Sequence, residues 1–156
     1  MSTSSRFQVV PLEQIPLEVR LHTDSKARPV VLVVDDERVI ADTLSIILTK
    51  NGFAVQTAYD AASALDLAAV IPPDVLLSDV MMGPGMDGTQ LAIEMTGFYP
   101  DCKVILFSGH AAVHDLLAKA SAQGYSFTLL TKPVHPSDLL ATIDECLAPA
   151  ATASLA

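Results

Sequence analysis

This sequence has no apolar run near the roughly 18 residues that a membrane-spanning helix needs, which argues against a transmembrane segment. Its first residues, Met1-Ser2-Thr3-Ser4-Ser5-Arg6, lead into no long apolar core either, so no secretory signal is expected. Basic side chains are scarce: 9 Lys and Arg stand against 18 Asp and Glu, a formal net charge of −9. A nucleic-acid surface needs a basic patch, and anionic membranes attract basic segments. The charge balance argues against both. Cysteine is nearly absent. Cys102 and Cys146 are far apart, match no metal or redox spacing, and read as reduced structural residues of a cytoplasmic protein.

What is present is a globular composition, with 51% hydrophobic and 17% charged residues, which excludes a disordered chain. A length of 156 residues predicts one domain large enough to bury a core. The organising stretch is Val30-Val31-Leu32-Val33-Val34-Asp35-Asp36-Glu37. Five apolar residues, mostly β-branched, read as a fully buried parallel strand. Three acids follow where that strand ends, which is where open α/β sheets bind ligands. Two unit charges about 4 Å apart repel by roughly 4 kcal/mol at an effective dielectric near 20. A hard divalent cation with oxygen ligands would relieve that repulsion.

From Val30 onward, strands alternate with helices. Val39, Ile40, Thr43, Leu44, Ile46 and Ile47 recur at helical spacing, and Asn51-Gly52 ends that helix. Phe53 to Thr57 is a second strand. Asp60 can cap a helix over Ala61–Val70, which Pro72-Pro73 ends. Val75 to Asp79 is a third strand, again apolar and again closed by an acid. After a loop from Met81 to Gly88, Thr89 to Thr96 reads as a short helix with Leu91, Ala92 and Met95 on one side. Lys103 to Phe107 is a fourth strand, followed by Ser108-Gly109. Ala111 to Gln123 is a helix with Val113, Leu116, Leu117 and Ala120 inward. Phe127 to Thr131 is a fifth strand, followed by Lys132-Pro133. Pro136 opens a last helix, with Asp138 in its first turn and Leu139, Leu140, Ile143 and Leu147 as its stripe.

This order predicts a single doubly wound (βα)5 domain of flavodoxin-like type with a five-stranded parallel sheet. Residues 1–28 read as an arm and linker. Within them, Leu17, Val19 and Leu21 alternate with polar neighbours, so an added edge strand or a homodimer contact is the alternative. Residues 148–156 are small and are expected to be a disordered tail. No output domain is expected in either segment.

The residues just after the strands form a pattern. The first strand delivers Asp35, Asp36 and Glu37, the third Asp79, the fourth Ser108 and the fifth Lys132. Carboxylates can hold a hard metal, one carboxylate can act as nucleophile, and a lysine and a hydroxyl can hold phosphoryl oxygens. These are the parts needed for phosphoryl transfer, where catalysis is mostly positioning and charge neutralisation. Taken singly each has a blander reading: a helix cap or solvated acid for Asp35 or Asp60, a surface lysine for Lys132, a helix acid for Glu37. His110 and His114, four apart, lack a third ligand in the sequence and read as solvated or partner-facing. The loop methionines read as packing.

Asp35-Asp36, Asp79 in Asp-Val-Met-Met, Met86-Asp87-Gly88, Ser108-Gly109 and Lys132-Pro133 stand in the order and near the spacing of one family. Over residues 29–147 the chain resembles the receiver domain of two-component response regulators, here of stand-alone type. The resemblance implies that Asp79 accepts a phosphoryl group from the phosphohistidine of a sensor histidine kinase. It implies Mg²⁺ held by Asp36, Asp79 and the backbone carbonyl of Met81, with Asp35 acting through water. Lys132 and Ser108 would contact the phosphoryl group, Gly109 would leave space beside it, and a cis Lys132–Pro133 peptide would aim the lysine inward. The chain would be no enzyme beyond self-catalysed phosphotransfer and autodephosphorylation. It would signal through a downstream protein on the face of the fourth helix, fifth strand and fifth helix, or pass the group to a histidine phosphotransfer protein.

Two departures from the family pattern stand out. The family loop reads Asp-x-x-Met-Pro-x-Met-Asp-Gly, and here Gly83 is inserted before Pro84. The family carries an aromatic three positions before the lysine, and here that position is Leu129, with Phe127 two residues earlier and one extra residue between Gly124 and Lys132. Two other readings remain: a degenerate receiver that binds partners without phosphorylation, or a small phosphohydrolase with an Asp nucleophile. Asp35-Asp36 lacks the two-residue spacing of acids that such a hydrolase carries, and no acid or lysine of the receiver set is lost.

Overall fold

The computed structural model describes residues 28–109 and 113–148 of the chain. Ten elements alternate along it: β1 (Val30–Val34), α1 (Arg38–Lys50), β2 (Ala54–Ala58), α2 (Ala61–Val70), β3 (Val75–Asp79), α3 (Gly88–Phe98), β4 (Lys103–Ser108), α4 (Val113–Ala122), β5 (Thr128–Thr131) and α5 (Pro136–Leu147). The strands form one parallel sheet in the order β2-β1-β3-β4-β5. This is the doubly wound (βα)5 architecture expected from the alternation of apolar runs. The arm with its proposed strand, most of the tail and His110 lie outside the described residues.

Strand alternation divides the core in two. Leu32, Val34, Leu76 and Leu106 face α2 and α3, joined by half-buried Leu116 and Leu117 of α4. Val31, Val33, Leu77, Ile105 and Phe107 face α1 and α5. Burial on both faces explains why β1, β3 and β4 read as continuous apolar runs. Burying one such Leu or Val contributes about 1.5–3 kcal/mol.

The first helix departs from its expected stripe. Ala41, Leu44 and Leu48 are buried, whereas Val39 is 78% and Ile46 55% exposed. Ile40 and Ile47 are half-buried and Thr43 is exposed. Apolar residues surround much of this helix, and its face toward the sheet is set by Leu44 of the expected stripe together with Ala41 and Leu48, which lie outside that stripe. Smaller shifts occur elsewhere. β2 begins one residue late at Ala54, β5 begins at Thr128, and α3 runs from Gly88 to Phe98. Asp60 caps α2 as expected, its Oδ1 accepting from the Ser63 amide at 2.7 Å.

The strand order positions the site. The chain leaves β1 toward β2 on one side of the sheet and returns to β3 on the other. The loops after β1 and β3 therefore part, opening a crevice at their carboxyl ends. Asp35 and Asp36 follow β1, and Asp79 closes β3.

Candidate functional site

Asp35, Asp36 and Asp79 converge in this crevice, each offering a carboxylate oxygen within 4.8 Å of the others. Asp35 is fully buried, Asp79 is 4% exposed and Asp36 is exposed. The Glu37 amide donates to Asp35 Oδ1 at 2.9 Å, a local turn that directs the buried carboxylate inward. The Met81 amide lies 3.3 Å from Asp79 Oδ1. Across the crevice, Lys132 Nζ lies 3.3 Å from Asp35 Oδ2 and 3.3 Å from Asp79 Oδ2. Nζ also lies 5.2 Å above the buried Phe107 ring. The Lys132–Pro133 peptide is cis, as the family pattern implied.

A cleft of about 410 Å³ joins these groups, lined by Asp36, Glu37, Asp79, Met81, Ser108, Gly109 and Lys132. Ser108 is buried at the end of β4, and its carbonyl accepts from the Lys132 amide at 3.3 Å. A side chain at Gly109 would meet the Lys132 Cβ at 3.8 Å, an ordinary contact. Glu37 opens α1 as its N-cap, without a capping bond from its side chain. Its Oε1 lies 4.0 Å from Lys132 Nζ, so it belongs to the rim of the cleft as well as to the helix.

Burial raises the pKa of Asp35 and of Asp79, and the Lys132 charge opposes the rise at both. Burial acts to lower Lys132, but Asp79 and then Asp35 outweigh it and the net direction is up. Four acids against one lysine leave the cleft net negative. An all-oxygen donor set with uncompensated charge fits a hard cation such as Mg²⁺. Asp36 and Asp79 could ligate it directly, and the Met81 backbone stands beside them.

The sequence reading missed three features here. The Gly83 amide donates to Asp36 Oδ2 at 2.9 Å. Gly88 admits no side chain: a Cβ would collide with the carbonyl at the end of β3, 2.8 Å from its carbon. The Gly88 amide donates to the Val80 carbonyl at 2.8 Å, and Asp87 and Gln90 form a capping box that starts α3 there. The Asp87-x-x-Gln90 spacing was a readable signal for that box. Beside the cleft, the Arg38 guanidinium lies 4.0 Å over the Tyr59 ring, whose hydroxyl bonds Asp42 at 2.6 Å. These three residues are dispersed in the sequence, and no motif announces them.

The family model for the response regulator receiver domain matches residues 31–144. The response regulator MprA of Mycobacterium tuberculosis (strain ATCC 25618 / H37Rv) is 34% identical over 111 residues, covering 71% of this chain and 47% of its own length. The transcriptional regulatory protein GlrR of Escherichia coli (strain K12) is 36% identical over 124 residues, covering 80% of this chain and 27% of its own length. The chain thus spans less than half the length of these relatives. Among solved structures, a CheY-like response regulator receiver domain protein from Methanospirillum hungatei JF-1 superposes with a TM-score of 0.69 at 30% identity, over 76% of this chain and 92% of that one. The signal receiver domain of an HD domain-containing protein from Pseudomonas fluorescens Pf-5 gives 0.71 at 32% identity, over 78% and 88%.

Proposed function

The chain belongs to the response regulator receiver domain family, and from that premise we propose that it is a Mg²⁺-dependent switch phosphorylated on Asp79. The observation that carries this reading is the setting of Asp79. Its carboxylate stands at the end of a central strand, within 4.8 Å of two further carboxylates and 3.3 Å from a lysine ammonium.

In the proposed reaction an Asp79 oxygen attacks the phosphorus of a kinase phosphohistidine. The O–P bond forms as the histidine N–P bond breaks, and the imidazole nitrogen keeps the electron pair. A bound Mg²⁺ would neutralise charge that otherwise keeps an anionic phosphoryl group from an anionic nucleophile. Asp36, Asp79 and the Met81 carbonyl would hold it, with Asp35 acting through water. Lys132 moves its bond from Asp79 to a phosphoryl oxygen, and Ser108 takes another. The proposed partners are a sensor histidine kinase or a histidine phosphotransfer protein, and a downstream protein on the α4–β5–α5 face. The three acids, the lysine and the hydroxyl are all present, which favours this reading over a receiver that works unphosphorylated.

Incubation with Mg²⁺ and acetyl phosphate tests it. The wild type should gain one phosphoryl group by intact mass, and Asp79→Asn none. A wild type that gains no label with acetyl phosphate and binds no beryllofluoride by fluorine NMR would hand the reading to the unphosphorylated receiver.

A further inference from the structure

The three carboxylates of the crevice are held unequally. Asp35 is locked by burial, the Glu37 amide and Lys132. Asp79 is locked by burial, the Met81 amide and Lys132. Asp36 is exposed, and among the described residues Lys132 bridges Asp35, Glu37 and Asp79 but not Asp36. What orients the Asp36 carboxylate is the amide of Gly83, 2.9 Å from Oδ2 and 47 residues away in sequence. A hydrogen bond from a neutral amide to a carboxylate is charge-assisted and short. It takes one of about four lone-pair sites, leaving the carboxylate able to ligate a cation.

That amide comes from the extra residue of the loop. Were Gly83 absent, Met82 would be followed directly by Pro84, and proline has no N–H to donate. The glycine is not required for backbone reasons. Positive φ values among the described glycines occur at Gly52, Gly85 and Gly124, not at Gly83. A Cβ there would meet Asp36 Oδ2 at 3.5 Å, an ordinary contact. The feature that this position contributes to the site is its N–H.

We propose that Gly83 is a positioning residue for the cation site: its amide holds Asp36 in a ligating orientation and makes the lengthened β3–α3 loop part of that site. The inference rests on the reading of Asp36 as a cation ligand. Partners that orient metal ligands commonly govern affinity by about 10- to 100-fold. Cation occupancy and loop position are therefore coupled, because one carboxylate serves both.

The test compares Gly83→Ala, which keeps the N–H, with Gly83→Pro, which removes it. Affinity for Mg²⁺ alone is measured by titration calorimetry, beside thermal unfolding without cation. Gly83→Ala should bind within about twofold of wild type, and Gly83→Pro should bind about 10-fold more weakly or worse. Equal affinity in all three proteins overturns the inference while leaving the cation reading intact. Equal weakening by both variants also overturns it, since bulk rather than the N–H would then matter. A wild type that binds no Mg²⁺ overturns the cation reading itself. Should Gly83→Pro fail to fold, amide exchange in the wild type decides: Gly83 should be protected without Mg²⁺ and more so with it. An unprotected amide under both conditions overturns the proposal.

Discussion

Lys132 Nζ lies 3.3 Å from two of the three carboxylates that could ligate a cation, Asp35 and Asp79. It relieves their repulsion, and by the same charge it opposes a divalent ion in the same space. The two effects act on different measurements. Removing the ammonium in Lys132→Met should raise Mg²⁺ affinity by about 3- to 10-fold, since a like charge leaves the site. The same change should lower phosphoryl incorporation from acetyl phosphate, because an oxygen of the incoming group loses its partner. Calorimetry and intact mass on one variant check both directions. Parallel losses in both would mean that Lys132 supports the shape of the crevice rather than its charge. Cys102 gives a contrast at the same scale. Burial pushes its thiol up to about 12, and its Sγ donates to the backbone carbonyl of Lys103 at 3.5 Å, which agrees with a packing role.

At the scale of elements, the ends of the helices carry the most readable energetics. The Ser63 amide, and then its hydroxyl, hold Asp60 below its usual range. A group with a depressed folded pKa contributes stability above its unfolded pKa, near 3.9, and loses it as pH falls through the folded value. Asp60→Ala should therefore cost about 0.5–1 kcal/mol at pH 7, at the low end for a cap because the group is exposed. The difference from wild type should shrink below about pH 4, and Asp60→Asn should stay close to wild type at pH 7. Urea unfolding at both pH values measures this. Asp60 was legible because a cap and its helix are neighbours in sequence. So were β1, β3 and β4, since burial on both faces leaves one long apolar run each. The inward face of α1 was not legible: Val39 and Ile46 are as apolar as the residues that pack, and the sheet chooses Ala41, Leu44 and Leu48. The roles of Gly83 and Gly88 were hidden for another reason. Both act through backbone atoms meeting distant chain, Asp36 in one case and the end of β3 in the other, and a sequence shows no backbone contact.

Across the whole molecule, the proposed phosphorylation of Asp79 would have to reach a surface that a partner could read. Ser108 ends β4 beside the cleft, and its neighbour on β5 is Thr131. Leu129, two residues before Thr131, is half-buried against the core cluster that includes Phe127, Leu116 and Leu117. An aromatic at position 129 could exchange an outward for an inward rotamer and carry its ring across that surface. Leucine has no ring and no polar tip, and its apolar neighbours give it no second partner to reach. Phe127 packs on the same cluster and already stacks on Tyr125, with ring centroids 5.9 Å apart. Position 129 therefore offers no aromatic ring whose swing could link the cleft to β5, and the change should be concentrated at the end of β4. Coupling between sites is commonly about 1–3 kcal/mol, against about 5.5 kcal/mol to move a population from 1:99 to 99:1. A weakened link would leave the α4–β5–α5 face mostly in its starting population. In an NMR titration with beryllofluoride and Mg²⁺, amides around Ser108 should shift strongly and those around Leu129 weakly. Large shifts of matching midpoint at both places would show that the leucine side chain transmits the signal after all, and that the absence of the aromatic costs the switch nothing.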